Sequence, residues 1–306
     1  MTDQSAPDAG AHAARRRTVG AVTQLGTEVS INLGSALAGL VIPIVGAFVV
    51  VAARQIVMAA VLLPFYRPTR AGLTWRRLWP ALMLGIALAV MNVTFYQSVH
   101  LLGLGIAATI EFLGPLSLAL VSSRRLLDVI CAVAAGVGVV LLTGFDGTIN
   151  VWGVALALTA AAAWAAYIVL TRRVAMRLPG LEGLTVAGIV SLAILLPVAI
   201  VTLDVSAIDW NVVALLVGVG ILSSALPYSL DTFILRRITP RLYAIITAFG
   251  PVVAAVFGWL ILSEQFTALE VLAIAIVCAA AGTAIATQRD RPAPAPDLER
   301  VAEITP

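Results

Sequence analysis

The chain has 306 residues, of which 61% are hydrophobic and only 11% are charged, and its formal net charge at pH 7 is +3. Because about one quarter of the residues in soluble domains are charged, this composition excludes an ordinary water-soluble protein. The 19 basic residues are all arginines and are spread along the chain, so they do not form the basic patch that a nucleic-acid partner needs. Anionic lipid headgroups are their expected neighbours.

Ten apolar segments follow one another from Val19 to Thr287, each close to the ~20 residues that a membrane-spanning helix needs. In chain order, the predicted spans are 19–41, 47–65, 79–99, 104–122, 126–144, 151–171, 184–203, 211–234, 242–262 and 269–287. The polar N-tail (1–18) and the proline-rich C-tail (289–306) are predicted to be disordered. No cleavable signal peptide is predicted.

The arginines alternate along this order. Eighteen of them lie in the two tails and in every second connection, and the remaining connections have none. Arginine-rich connections stay in the cytoplasm. The pattern therefore predicts a multi-pass protein of the cytoplasmic (inner) membrane with both termini in the cytoplasm. The nineteenth arginine, Arg54, lies inside a predicted span.

Two segments of the chain match each other at a constant offset of 136 residues. SVHLLGLGIAATIEFLGP (98–115) aligns with ILRRITPRLYAIITAFGP (234–251), so that Pro115 falls on Pro251 and Gly114 on Gly250. This match indicates that the chain contains two related halves.

The halves are predicted to be residues 19–146 and 147–288, with five spans each. Because five is odd, the second half enters the membrane from the opposite side. The predicted fold is therefore an all-α polytopic membrane protein, with ten transmembrane helices arranged as two inverted five-helix repeats. In transporters, this arrangement places the substrate near the midplane, between the repeats.

Glu111 is the main candidate for a functional ionisable group. It lies roughly two turns below the outer surface by helix rise, and Pro115 cannot donate a hydrogen bond to its backbone carbonyl. A charge at this depth costs several kcal/mol unless it is paired or hydrated. We predict that Glu111 alternates between a proton and a substrate amine. The alternative is a structural acid paired with an arginine.

Arg54 lies roughly 10 Å below the outer face by helix rise, at a depth similar to that of Glu111. Three interpretations fit this position. Arg54 holds a substrate carboxylate, it only neutralises Glu111, or it extends to the outer surface.

Other polar and aromatic side chains are spaced three or four residues apart, which places each pair on one helix face. Each pair is expected either to line a cavity or to make polar contacts between helices. The predicted substrate-binding residues are Glu111, Arg54, Asn32, Asn92, Tyr96, Trp164, Tyr167 and Tyr228, and the predicted proton-coupling residues are Glu111, Glu28 and Asp231. For Asp231, an interfacial acid near Arg236 is the competing interpretation.

Enzyme signals are not found in the sequence. It has no HExxH motif, no nucleotide-binding glycine loop and no convincing GxSxG motif, and its two histidines are His12 in the tail and His100 at a span end. We therefore expect no catalytic residues, no metal, no cofactor and no ATP site. A membrane-embedded enzyme and a non-transporting helix-packing subunit are the rival classes. The second predicts that the buried acids tolerate neutral replacement.

Two stretches of the chain resemble a known family. IEFLGPLSLALVSSRR (110–125) and LSSALPYSLD (222–231) are similar to the EamA branch of the drug/metabolite transporter superfamily, and within it to the bacterial threonine/homoserine exporters. The resemblance covers nearly all of residues 19–287. It implies ten helices in two inverted halves and export of small amino acids or related metabolites, driven by proton entry. Nucleosides or toxic amphiphiles are the alternative substrates.

The chain departs from that family at two positions. The exporters usually have Glu directly before the proline of the ninth helix, where this chain has Gly250, and they tend to have Glu where Asp231 stands. We therefore expect the surroundings of Pro251 to be less acidic and more open than in the exporters. We also expect a substrate range that is broader or more hydrophobic than threonine and homoserine alone. The expected partners are a small-molecule substrate and the lipid bilayer. A homodimer and the direction of transport are left open by the sequence.

Overall fold

The computed structural model describes residues 6–64, 74–121, 125–143, 150–178, 182–235 and 237–287. Over these ranges the chain is helical, without a β-strand. The α-helices are α1 (Ala6–Leu62), α2 (Trp75–Leu102), α3 (Leu104–Glu111), α4 (Leu113–Val121), α5 (Leu126–Thr143), α6 (Val151–Ala175), α7 (Glu182–Thr202), α8 (Trp210–Gly220), α9 (Leu226–Leu235), α10 (Pro240–Thr247), α11 (Gly250–Leu262) and α12 (Ala268–Thr287).

Six helical stretches within the described ranges are long and apolar enough to cross a membrane. They are Arg15–Leu62, Leu78–Leu102, Val151–Ala175, Glu182–Thr202, Leu242–Leu262 and Ala268–Thr287. Three shorter apolar stretches accompany them, Leu104–Leu118, Leu126–Leu142 and Trp210–Ala225. Many large apolar side chains lie on the outside of the bundle, as expected where lipid replaces water. The fold is that of a polytopic membrane protein.

The first two predicted spans are joined in the single element α1, which begins at Ala6, well before the predicted span start. The connection predicted between them is reduced to a kink at Gly46, which has the non-helical angles φ 81° and ψ 156°. Glycine adopts a positive φ at little steric cost, so one residue is enough to interrupt the helix. Pro43, one turn earlier, also lacks the N–H that a regular helix would use.

The fourth and ninth predicted spans are each broken into two helices. In the fourth, α3 ends at Glu111 and α4 begins at Leu113, and in the ninth, α10 ends at Thr247 and α11 begins at Gly250. Helices α3 and α10 have eight residues each, and both their first and their last residues are 136 positions apart. A break therefore lies beside Glu111, whose carbonyl cannot accept a hydrogen bond from Pro115. The second matched segment has a break at the corresponding place.

The eighth predicted span contains a π-helical turn, Ile221–Ala225, between α8 and α9. Such turns interrupt the regular hydrogen-bond pattern of a helix and are frequent at functional sites. Helix α1 contributes donors to this turn, because the Ser30 hydroxyl donates to the backbone carbonyl of Leu222 over 2.7 Å. The turn, called the π-turn below, thereby becomes one wall of the site.

Glu264 anchors the link between α11 and α12 to the start of α3. Its carboxylate accepts hydrogen bonds from the backbone N–H groups of Leu104, at 2.5 Å, and Gly105, at 3.2 Å. Gly258 makes room for the carboxylate, since a Cβ there would collide with it. Partial burial raises the pKa of Glu264, and the two N–H groups lower it. This anchor fixes the position of α3, whose last residue is Glu111.

Candidate functional site

A cavity of about 220 Å³ lies inside the bundle, between α1, α2, α3, α6, the π-turn, α9, α10 and α11. Its described lining consists of Glu28, Ile31, Asn32, Ser35, Arg54, Met91, Asn92, Phe95, Ala108, Glu111, Phe112, Trp164, Tyr167, Ser223, Pro227, Tyr243, Thr247, Gly250 and Pro251. Among these residues, Glu28, Arg54 and Glu111 have formally charged side chains.

The structure brings together residues from five of the predicted spans. Seven of the predicted site residues line the cavity: Glu28, Asn32, Arg54, Asn92, Glu111, Trp164 and Tyr167. Tyr96 does not line it, but lies fully buried against Arg54. The side chains of Tyr228 and Asp231 lie outside the described part of the structure.

Arg54 is held by a network of hydrogen bonds. Its Nη1 donates to Asn92 Oδ1 at 2.6 Å and to the Tyr96 hydroxyl at 3.2 Å, both on α2. Its Nη2 donates to the backbone carbonyl of Ser223 at 2.6 Å, and its Nε to the Ser224 hydroxyl. The guanidinium group also lies 5.9 Å from the centre of the Tyr96 ring, within the range of cation–π attraction. Arg54 therefore connects α1 and α2 to the π-turn.

Arg54 also acts electrostatically on Glu111. Both residues line the cavity. Glu111 is partly buried at the end of α3. Over the described residues, the hydrogen bonds of Arg54 named above go to neutral acceptors, so neutralising Glu111 is not its sole role. A bidentate Arg54–carboxylate contact, with a substrate or with Glu111, remains a prediction.

Glu28 lies on α1, at a second polar cluster of the cavity. Gln24, one turn earlier and fully buried, donates from Nε2 to Glu28 Oε1 at 3.1 Å and to the Thr247 hydroxyl at 3.2 Å. A Cβ placed on Gly250 would lie 3.4 Å from Glu28 Oε2. An acid from a distant part of the chain therefore lies beside Gly250, and the sequence did not indicate this. The expectation of surroundings that are less acidic than those of the exporters stays a prediction.

Aromatic rings form much of the remaining wall. Phe112, which follows the break after α3, packs edge-to-face on Trp164 of α6, with ring centroids 5.7 Å apart and an interplanar angle of 74°. Phe95, Tyr167 and Tyr243 complete this wall. Rings of this kind attract cations and hold small solutes in a fixed orientation.

Sequence reasoning missed several polar residues of the site. Gln24 lies four residues before Glu28, a spacing that places both on one helix face, and Thr247 falls on Glu111 at the 136-residue offset. These two signals could have identified them. Ser223 and Ser224 gave no comparable signal, because their role depends on the π-turn.

The structure is a bundle of apolar helices around a small cavity, and charged and aromatic side chains line this cavity. These features are typical of the membrane proteins that transport solutes. Comparisons with known proteins agree with this class. Residues 151–286 match the EamA-like transporter family. The threonine/homoserine exporter RhtA of Salmonella typhimurium is 36% identical over 265 residues, which cover 85% of this chain and 90% of the relative. The exporter of the same name from Escherichia coli K12 is 35% identical over the same coverage.

The chain belongs to the EamA-like transporter family. Its curated relatives are named as exporters and not as enzymes, and they support a multi-pass inner-membrane exporter of small metabolites. A solved crystal structure also aligns with a TM-score of 0.59 at 21% identity, covering 90% of this chain and 96% of that one. At this identity the match shows the fold alone.

Proposed function

We propose that the protein is a proton-coupled exporter of small amino acids of the threonine and homoserine type. One observation supports this most: the lining of a cavity of about 220 Å³ contains both signs of charge, a positive one from Arg54 and negative ones from Glu28 and Glu111. A free amino acid is a zwitterion, so its two charged groups need partners of both signs in an apolar environment.

The volume of the cavity favours a small substrate. The cavity measures about 220 Å³. Sites for drug-sized ligands measure about 300–1,000 Å³. Threonine and homoserine therefore suit the cavity better than nucleosides or toxic amphiphiles, which remain the alternative substrates.

Glu111 is the proposed site of proton coupling. Over the described residues, no hydrogen-bond donor reaches its carboxylate, although the carboxylate faces the cavity. Water, a proton or a substrate amine then has to satisfy its oxygen atoms. A group that exchanges these partners can couple substrate exit to proton entry. Glu28 and Asp231 belong to the same predicted proton-coupling set.

We propose that the protein has ten spans in two inverted repeats, with both termini in the cytoplasm. Movement of the repeats against each other would open the cavity alternately to the two sides of the membrane. Support comes from the equal lengths and the 136-residue spacing of α3 and α10, together with the alternation of arginines. Reporter fusions after Arg17 and at the C-tail test the orientation. A reporter that is active only outside the cytoplasm should stay inactive at both ends, and its activity at either end contradicts the assignment.

The substrate is tested by measuring which metabolites leave cells that overexpress the protein. We expect threonine and homoserine to appear in the medium at higher levels than in cells with an equally expressed Glu111→Gln variant. Export of nucleosides or dyes without amino acids would instead support the alternative. Equal export by the wild type and the Glu111→Gln variant would show that Glu111 does not couple export to protons.

A further inference from the structure

The two acids of the cavity have different surroundings. Glu28 is 6% exposed, and its carboxylate accepts a hydrogen bond from Gln24 Nε2. The Glu111 carboxylate accepts none from the described residues. A donor stabilises the charged form of a carboxylate, so the two acids are suited to different tasks.

Gln24 is positioned to serve Glu28 as a donor. Its amide nitrogen has two hydrogen atoms, and the two acceptors within reach are Glu28 Oε1 and the Thr247 hydroxyl. Its own carbonyl oxygen is buried and has no hydrogen-bond partner among the described residues. Leaving a buried carbonyl unsatisfied is unfavourable. The fold therefore uses Gln24 for its N–H groups and accepts a cost at its oxygen.

Gly250 leaves room beside the same carboxylate. Glu28 Oε2, the oxygen atom not bonded to Gln24, lies 3.4 Å from the position that a Cβ of residue 250 would occupy. Both residues line the cavity, as do the Tyr243 and Trp164 rings. The cavity thus offers a small cation a carboxylate that Gln24 holds, and aromatic rings in the same lining. Carboxylates and aromatic rings both attract ammonium groups.

We propose that Glu28, oriented by Gln24 and left accessible by Gly250, is the subsite that receives the ammonium group of the substrate. Glu111 then handles the proton, and the two ions bind at separate carboxylates. This inference rests on the proposed export of amino acids and narrows it, since the sequence had suggested Glu111 for both ions. Gln24 is a positioning residue, because it acts through Glu28.

The test compares two probes on purified full-length protein, L-threonine and 2,3-dihydroxybutanoate, in which a hydroxyl group replaces the ammonium. The measured quantity is the ratio of their dissociation constants. We expect the wild type to prefer threonine about tenfold or more. Glu28→Gln should reduce the ratio to near one, mainly by weakening threonine binding. Glu111→Gln should preserve the ratio.

A second variant covers the case in which Glu28→Gln does not fold. Gln24→Met keeps the length of the side chain and removes both donors, so the preference should fall about threefold. Gln55→Met is the matched control, because Gln55 is also a buried glutamine of α1, 2% exposed, and is not in the cavity lining. Its ratio should equal that of the wild type.

The outcomes separate the two proposals. A wild type that binds no threonine overturns the proposed function and the subsite with it. A wild type that prefers threonine, combined with a folded Glu28→Gln or Gln24→Met variant that keeps the full preference, overturns the subsite alone. Loss of the preference in Glu111→Gln would also overturn the subsite, because it would place the ammonium at Glu111.

Discussion

The two halves of the molecule contribute differently to the cavity. In the first half, Glu28, Arg54, Asn92 and Glu111 line it. The residues 136 positions later are Trp164, Val190, Tyr228 and Thr247, respectively. At this offset, aromatic, aliphatic and hydroxyl side chains of the second half stand where the first half has charged ones.

The charged side chains in the described lining of the cavity thus come from the first half, and the second half provides hydrogen-bond partners. The second half supplies neutral partners, namely the Ser223 carbonyl and the Ser224 hydroxyl for Arg54 and the Thr247 hydroxyl for Gln24. The match to the EamA-like family covers residues 151–286, and all three charged side chains of the cavity lie outside that range. Paired substitutions in the two halves are the way to test the division.

The largest difference is expected for Glu111 and its counterpart Thr247. Glu111→Gln imitates the protonated acid, so the variant should fold and bind substrate but lose gradient-driven export down to the level of empty vesicles. Thr247→Val removes one neutral hydrogen bond, and export should fall only about threefold. Export from vesicles of equal protein content measures both. Comparable losses in the two variants would contradict the division of roles.

Arg54→Lys should have the next largest effect. Lysine keeps the charge but not the planar fork that serves Ser224, Asn92 and the Ser223 carbonyl at once. Each buried acceptor left without a donor costs about 1–3 kcal/mol, so the melting temperature should fall and threonine should bind about tenfold more weakly.

The control for this prediction is Val190→Ala, the corresponding position of the second half. It should leave the binding of threonine unchanged and cost about 1 kcal/mol of stability. If Arg54→Lys matches the wild type in melting temperature and affinity, the network described here does not organise the site.

Gly114 and Gly250, which align at the 136-residue offset, give a third pair of substitutions. Thermal unfolding in detergent measures their effect. A Cβ on Gly114 would collide with the backbone carbonyl oxygen of Ala161 on α6. Among the described residues, a Cβ on Gly250 meets only Glu28 Oε2, at 3.4 Å. Gly114→Ala should therefore cost about 1–3 kcal/mol, because backbone cannot yield easily. Gly250→Ala should stay within about 0.5 kcal/mol of the wild type. The reverse order would show that the close packing of α4 on α6 is not rigid.

The smallest effect is expected where the halves agree in charge. Glu264 follows Asp128 by 136 residues, and both are acids. Glu264→Gln weakens two hydrogen bonds to the start of α3, and stability should fall by about 1–2 kcal/mol. Glu270→Gln is the control, since Glu270 lies in the first turn of α12 and accepts hydrogen bonds from the N–H and the hydroxyl of Thr267, at the end of the same link. It should change stability by less than about 0.5 kcal/mol. Equal melting temperatures for both variants would show that Glu264 does not anchor α3.

Much of the fold was accessible from sequence because apolar length and proline act locally. The apolar runs predicted where helices lie, and Pro115 predicted a backbone carbonyl without its helical donor at Glu111, where the structure has a break. The joining of two spans at Gly46 and the π-turn at Ile221–Ala225 were not predicted. Both depend on how helices pack, which no local pattern specifies.

The residues of the site also fall into those that the sequence indicated and those that it did not. Glu28, Arg54 and Glu111 stood out because ionisable side chains are rare in apolar segments. Gln24 and Ser224 are neutral, and neutral polar residues occur in many spans as contacts between helices. Only the three-dimensional structure shows that they hold Glu28 and Arg54.

Coupled movement of threonine and protons tests the central claim most directly. Liposomes containing the full-length protein are loaded with L-threonine and a pH-sensitive dye, and are then diluted into threonine-free buffer. Proton-coupled export predicts that the lumen acidifies as threonine leaves, and that Glu111→Gln abolishes the acidification. Threonine efflux by the wild type without any change in lumenal pH would contradict the account.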